Sequence, residues 1–306
     1  FKLDGSIMVK GRDIGTQPMF RNCKSLFSAT VYDRCIEAGF VNSQSEDWDF
    51  ILANDIKTVF RKQAANEGLF YIHPAYGTVS RYGLLPQASS MDSVGVLCRD
   101  LTSGIDVLNI ISGEDKNDPF TGKTLRYESQ SGGTVTVLGN RYLNVLHTVF
   151  RIISCGEFCG NTTRYDGVKY GCRAENISNI NDLYTRARTE GLDFDFKECI
   201  LLGCVVQSEQ HYYSIYDKAL RIRRLICDCY AELLAETDVL VMPVNENTLA
   251  LPLLGGFSAV TCRIDGKPVQ FICRKGNENK MFGLFGDSMS VSGFCGSDDF
   301  GGDTSD

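Results

Sequence analysis

Tyr76 to Gly95 reads YGTVSRYGLLPQASSMDSVG. It opens with the nine residues Tyr76 to Leu84. A hydroxyl-rich run, Ala88-Ser89-Ser90-Met91-Asp92, follows. Beyond it, Asp100 to Gly113 has the grammar of an amphipathic helix. Asp100 is placed to cap the first free N–H groups, Leu101, Ile105, Leu108 and Ile111 recur on one face, and Gly113 supplies the left-handed stop. Upstream, Ser28 to Gly39 repeats the pattern, with Ser28 as cap, Val31, Cys35 and Ala38 on the apolar face and Gly39 as terminator.

Further out, Asn179 with Asp182 three residues on resembles a capping box for a helix that carries Leu183, Tyr184 and Ala187 and ends at Gly191. A long helix is predicted over about residues 205–236, where Tyr212, Tyr216, Ala219, Ile222, Ile226 and Tyr230 fall three and four apart. Val239 to Met242, stopped by Pro243, reads as a buried strand. Val260–Cys262 and Val269–Cys273, joined across Asp265-Gly266, read as a hairpin. Alternating helices and strands favour an α/β architecture with a mixed sheet. Residues 114–140 are polar and Gly-rich, with one short apolar run at Thr134–Leu138, and read as a loop excursion. Residues 286–306, with five Asp and no basic side chain, read as a disordered acidic tail, which leaves 1–285 as the folded domain.

The bulk composition narrows the function. At 306 residues with 43% hydrophobic and 23% charged side chains, the chain can bury a large core. No apolar run reaches the length of a membrane span. A net charge of −7 argues against a chain that grips nucleic acid by itself. Thirteen cysteines are many, but none forms a Cys-x-x-Cys pair. The tightest spacings, Cys227-x-Cys229, Cys155-x3-Cys159 and Cys199-x4-Cys204, suit neither a zinc site nor a secreted disulfide framework. Reduced cytoplasmic thiols packed as small apolar side chains are expected, with no metal.

The Tyr76–Gly95 stretch resembles the most recognisable segment of the A subunit of tRNA-dependent amidotransferases, members of the amidase signature family. There a Tyr-Gly-x-Val-Ser-Arg-Tyr-Gly-Leu strand and turn precedes Ala-Ser-Ser-x-Asp-x-x-Gly, so the resemblance implies that Tyr76 to Leu84 forms a strand bordering the central sheet. A second similarity is Arg164 to Gly171, RYDGVKYG, with Leu183-Tyr184 and Arg188-Thr189-Glu190-Gly191 beyond it. Ala29–Gly39 and Tyr212–Val241 also match, so the likeness spans about residues 6–275. It implies the amidase signature fold, a mixed central sheet flanked by helices, here with internal deletions that include part of the segment before residue 145.

The resemblance also implies a chemistry. In this family a serine nucleophile attacks an amide, activated through a second serine in a cis peptide by an unprotonated lysine. The ammonia freed from glutamine then passes to a partner subunit, which uses ATP to amidate a misacylated tRNA. The lysine lies in an early strand, for which Ile7-Met8-Val9-Lys10 is the candidate, making Lys10 the residual catalytic residue. The chain opens on Phe1 rather than Met, and the family's usual segment ahead of that strand has no counterpart. The Gly-Gly-Ser-Ser-Gly-Gly-Ser loop that supplies the bridging serine is also missing, since the sequence passes from Trp48-Asp49-Phe50 almost directly to Asn54-Asp55. The nucleophile motif Gly-Ser-Asp-Thr-Gly-Gly-Ser-Ile-Arg aligns with Ala53 to Arg61, ANDIKTVFR. Asp55 and Arg61 match, and with Tyr170 they are the family-equivalent substrate-binding positions. The nucleophile position is Val59, which has neither a proton to lose nor a lone pair. Lys57 and Thr58 replace the two glycines, and Thr58 as a displaced nucleophile is disfavoured because one step along an extended segment reverses the side chain.

Other positions point the same way. The family's paired arginines, which would fork onto a carboxylate, become Glu198 and Cys199, and the later Asn-Leu-Ala-Gly-Leu-Pro stretch shrinks to Leu253–Phe257. His73, His147 and His211 do not form a catalytic pattern, and Cys155 and Cys159 read as buried inert thiols. Three functions follow from the resemblance: a pseudo-amidase acting as a scaffold or binding relative, with the B and C subunits of the tRNA amidotransferase as partners; a working glutaminase subunit; or a decayed reading frame. No cofactor is expected, and the location implied is cytoplasmic.

Overall fold

The computed structural model describes residues 1–285 apart from 16, 21, 22, 44, 46, 124 and 138–141. The acidic tail, 286–306, lies outside the described residues. Among the described residues, eight strands form one mixed sheet: β1 (Lys2–Leu3), β2 (Phe50–Asn54), β3 (Phe70–His73), β4 (Val94–Cys98), β5 (Val135–Val137), β6 (Val239–Pro243), β7 (Ser258–Ile264) and β8 (Lys267–Cys273). Their order is β1-β2-β4-β3-β7-β8-β6-β5. The two outermost pairs, β1 with β2 and β5 with β6, are parallel, and the pairs between them are antiparallel. Around the sheet lie α1 (Thr30–Glu37), α2 (Val59–Glu67), α3 (Leu101–Ile111), α4 (Leu146–Thr162), α5 (Ile180–Gly191), α6 (Phe194–Val206), α7 (Asp217–Glu236), α8 (Glu246–Gly255) and α9 (Glu278–Gly283).

Side chains on a strand alternate between faces, and the core follows that period. Val239 and Val241 of β6, with Phe271 of β8 and Val96 of β4, join α1, α3 and α9 on one face. Leu240, Met242 and Ile272 point the other way, into a cluster with Leu146 and Ile153 of α4, Ile226 and Tyr230 of α7, and Leu251 of α8. Toward the β2 end that second face is covered by α2, whose Ala64 packs with Ile51, Tyr71 and Leu97. A sheet buried on both faces is the expected α/β arrangement.

Many local readings hold. Asp100 accepts from the Ser103 N–H at 2.8 Å and starts α3. Asn179 accepts from the Asp182 N–H at 2.9 Å and starts α5, although the Asp182 carboxylate returns to Ser178 rather than closing the box on Asn179. The β7–β8 hairpin turns on Asp265 and Gly266, both with positive φ. Within the 114–140 loop excursion, Val135–Val137 adds an edge strand.

Four expectations are corrected. Ser28 does not cap α1; its hydroxyl accepts the Lys10 N–H at 3.1 Å, and Ala29 occupies the cap position. The helix over 205–236 is broken: α6 ends at Val206, and α7 starts at Asp217 after a π-helical turn over Tyr212–Tyr216. Ser208 accounts for the break, because its N–H and its hydroxyl both return to the Val205 carbonyl, satisfying the end of α6 locally. Ile7 to Lys10 is not a strand; Ile7 and Lys10 make only isolated bridges. Nor is Tyr76–Leu84, in which Val79 and Leu84 make isolated bridges alone.

The last departure has a clear cause. Gly77 and Gly83 both take positive φ, and Gly83 lies directly on the Ala29 backbone, where a Cβ would clash. Between them, backbone and side-chain polar groups are claimed by the following loop. Asp118 accepts from the Arg81 N–H and guanidinium, and Asp115 accepts the Ser80 and Thr30 hydroxyls at 2.5 Å each. Arg81 also stacks over the rings of Tyr76 and Phe120. The segment is a clasp against the 113–122 loop rather than a strand.

Candidate functional site

The site is built where β2 ends. Asp55 follows the last strand residue, and its carboxylate accepts the N–H groups of Phe60 and Arg61 at 2.9 Å each, capping the first turn of α2. Arg61 donates from all three nitrogens: to Asp55 Oδ2 at 3.1 Å, to the Leu249 carbonyl at 2.6 Å and to the Asp55 carbonyl at 3.0 Å. Arg61 is fully buried and Asp55 nearly so. These hydrogen bonds bring the turn, α2 and α8 together. Between Asp55 and α2, Thr58 sits at φ 59°, ψ 19°, in the left-handed region where a β-branched residue is an outlier. The backbone here makes a turn of the kind glycine ordinarily occupies.

Two adjoining cavities flank this turn. The first, about 270 Å³, has Asp4, Asn54, Asp55, Val59 and Tyr165 in its wall. The second, about 500 Å³, has Thr58, Arg151, Cys155, Glu198 and Cys199 in its wall. Lys57, Gln87, Phe158 and Phe196 border both. Val59, 57% exposed, opens α2 toward the first cavity, whereas Thr58 is buried and faces the second. The turn, not an extended backbone, sends the two side chains apart.

Asp4 is the residue that sequence reasoning missed. β1 runs parallel to β2, with Leu3 opposite Leu52, so the chain leaving β1 reaches the cavity at Asp4. Its carboxylate accepts the Ser6 N–H at 2.6 Å, the Ser6 hydroxyl at 2.8 Å and the Asn54 N–H at 2.7 Å. Burial raises its pKa, with those bonds acting in the opposite direction. Asn54 continues the network, donating from Nδ2 to Asp92 at 2.9 Å. Asp92, also buried and raised by desolvation, accepts the Gln87 and Ala88 N–H groups and organises the Ala88–Asp92 run. Ser90 of that run bonds Glu157 of α4 and accepts from Arg223 of α7. The signal available in the sequence was the order Phe1-Lys2-Leu3-Asp4, a short apolar alternation ending in an ionisable residue six positions before Lys10.

The four expected site residues do not form one site. Lys10 is exposed, lines neither cavity and has no ion pair with Asp13 or Asp55 among the described residues. Asp55 lies in the first cavity's wall but spends its oxygens on α2 and Arg61, and Arg61 lines neither cavity. Both belong to the frame of the site. Tyr170 is 53% exposed and outside the cavities, and Tyr165 takes the place in the wall. In the second cavity Glu198 is held by Arg151 at 3.4 Å, and Lys57 reaches Asp195 at 3.5 Å while lying over the Phe196 ring. His73 is buried and kept neutral by desolvation, with Nδ1 unpartnered.

Comparison with known proteins places this geometry. The family model described as Amidase matches residues 52–137 and 124–253. The A subunit of glutamyl-tRNA(Gln) amidotransferase of Lactobacillus acidophilus is 31% identical over 233 residues, covering 63% of this chain and 49% of that protein. The Campylobacter jejuni A subunit is 32% identical over 235 residues, covering 64% and 52%. The chain therefore spans about half the length of the curated relatives it matches. Among solved structures, the A subunit of glutamyl-tRNA(Gln) amidotransferase from Thermotoga maritima superposes with a TM-score of 0.70 at 18% identity, covering 95% of this chain and 82% of that one.

Proposed function

Because the chain belongs to the amidase family, we propose that it is a non-hydrolytic member, related to the A subunit of the amidotransferase, that acts by binding rather than by cleaving an amide. One observation carries this reading. Val59 occupies the first position of α2 and opens onto the first cavity, where the family resemblance calls for a serine, and an isopropyl group cannot attack a carbonyl. Two features support it. The resemblance calls for a lysine at the end of an early strand beside the nucleophile, and the corresponding strand end, β1, delivers the buried carboxylate of Asp4. A carboxylate is ordinarily a far weaker base than a neutral amine, and the three hydrogen bonds that Asp4 accepts oppose the rise that burial gives it. In the second cavity Glu198 stands where a carboxylate-binding arginine is expected, so an amino-acid α-carboxylate would meet like charge.

The retained frame is suited to a partner. The Asp55–Arg61 pair, the Asn54–Asp92 bond and the Ser90–Glu157–Arg223 cluster hold the cleft without requiring its chemistry. The partners are the B and C subunits of the tRNA amidotransferase, in the cytoplasm, with this chain occupying the place of an A subunit or competing for it. No described helix is long and apolar enough to cross a membrane. The test is size-exclusion chromatography of the purified chain mixed with B and C subunits from the same source. A co-eluting complex, displaced by a complete A subunit, is the expected result. Separate elution at micromolar concentrations would remove the scaffold reading.

A further inference from the structure

The first cavity is an aromatic chamber that holds one charge without a counter-charge. Five rings, those of Phe20, Phe60, Phe158, Tyr165 and Phe196, stand in its wall, and its charged groups are Asp4, Asp55 and Lys57. Phe20 meets Tyr165 edge to face with centroids 5.0 Å apart, and Phe158 meets Phe196 in the same way at 4.9 Å. Asp55 is neutralised by Arg61 at 3.1 Å and Lys57 by Asp195 at 3.5 Å. Asp4 has no ion pair among the described residues. Its carboxylate accepts three hydrogen bonds, all from neutral groups of Ser6 and Asn54. An ionised carboxylate has about four acceptor sites, so one is left.

We propose that this cavity binds a small arylalkyl monoamine, with its ammonium group on the Asp4 carboxylate and its ring among the aromatic side chains. The inference goes beyond the proposed function, which concerns protein partners, and shares with it only the cavity that Val59 opens onto. No bond is made or broken. The amine is held, and binding can be read without a partner subunit and without ammonia release, so either reading can fail alone.

Charge, size and surface each select this class. A carboxylate drawn out of water is costly unless a cation meets it, and burial acts on Asp4 in that sense, raising its pKa against its hydrogen bonds. An amino acid does not suit the site, because its own carboxylate needs a free cation. Lys57 is the one cation in the wall among the described residues, and Asp195 already holds it. A cavity of about 150 Å³ suffices for benzene, so about 270 Å³ leaves room for a ring and a short ammonium arm. Aromatic faces attract cations as well. The Lys57 ammonium lies 4.9 Å from the Phe196 centroid, so one ring of this wall already carries a cation.

Calorimetric titration of the purified chain at neutral pH with phenethylammonium, phenethyl alcohol and phenylacetate tests this. The expected result is that the ammonium binds about ten-fold tighter than the alcohol and that phenylacetate does not bind. Butylammonium, which copies the arm of a lysine side chain on a protein, is expected to bind about ten-fold more weakly than phenethylammonium. Asp4→Asn keeps an oxygen for the Asn54 N–H and brings the ammonium down to the affinity of the alcohol. Independently of any variant, phenethylammonium moves the Asp4 carboxyl carbon resonance of labelled protein. Equal affinity for the ammonium and the alcohol, binding of butylammonium as tight as that of phenethylammonium, or tighter binding of phenylacetate would each overturn the proposal. So would no binding at millimolar concentration, an affinity that Asp4→Asn leaves unchanged, or a resonance shift at Asp195 of the second cavity in place of Asp4.

Discussion

The 76–95 stretch and the 53–61 segment meet where β2 pairs with β4 and where the Asn54 side chain bonds Asp92 and Ser93, and they differ in what their residues do. In the first, five residues that carry the family likeness have structural tasks. Ser80 and Arg81 clasp the 113–122 loop, Gly83 clears Ala29, Ser90 ties α4 to α7, and Asp92 fixes its own turn. In the second, Asp55 and Arg61 remain and do structural work, while the positions facing the cavities have become Lys57, Thr58 and Val59. On the proposed non-hydrolytic reading, the residues that match the family are those the fold uses, and those that depart from it face the cavities.

Several changes break or sharpen that contrast. The largest effect is expected from Asp55→Ala, which leaves the fully buried Arg61 guanidinium without its counter-charge. A loss of about 3–5 kcal/mol is predicted, read from the urea midpoint, and a near-neutral result would mean that this pair does not frame the site. Asp92→Ala removes the acceptor for the buried Asn54 amide and for the Gln87 and Ala88 N–H groups, the first half-buried and the second buried, for a predicted loss of about 1–3 kcal/mol in the same measurement. Thr58→Gly changes the sign. The left-handed turn costs a β-branched residue about 1 kcal/mol, so glycine is expected to raise the urea midpoint, and a lowered midpoint would mean that Thr58 is held there by contacts worth more than the strain.

Acid separates the two regions without mutation. Burial raises the pKa of Asp4 and Asp92 above the ordinary 3.8. For Asp115 and Asp118 burial acts upward too, but the hydroxyls of Ser80 and Thr30 and the Arg81 group win, holding them below 3.8. A raised carboxyl contributes stability that is present below its unfolded value and lost as pH rises through its folded one. A depressed carboxyl contributes stability that is present above its unfolded value and lost as pH falls through its folded one. On lowering the pH, protonation is therefore expected to favour the folded form first at Asp4 and Asp92 and to loosen the clasp only below about pH 4. Carboxyl carbon shifts in labelled protein report the order directly. Titration of Asp118 before Asp92 would reverse the assignment.

Legibility in the sequence followed the same division. Caps, terminators and the hairpin are local, so Asp100, Asn179 and Asp265-Gly266 could be read in place. Tyr76–Leu84 could not, because its polar groups are claimed by a loop more than thirty residues downstream. The proposed absence of a nucleophile rests on Val59, which could be read in the sequence, but the place of Lys10 could not. Which early residue enters the cavity depends on how β1 pairs with β2, and that pairing selects Asp4. Tyr165 displaces Tyr170 for a similar reason, since the Asp166–Gly171 turn sends the later ring outward. Helix packing likewise brought together cysteines whose spacing matched no motif.

The central claim, that the frame survives without the nucleophile, is tested most directly by ammonia release from glutamine and from asparagine by the purified chain, alone and with B and C subunits present. The account predicts release no greater than the protein-free control in every case, unchanged by Lys10→Ala. Turnover above the control that is lost on Lys10→Ala would contradict it, by showing that the exposed lysine serves a nucleophile other than Val59.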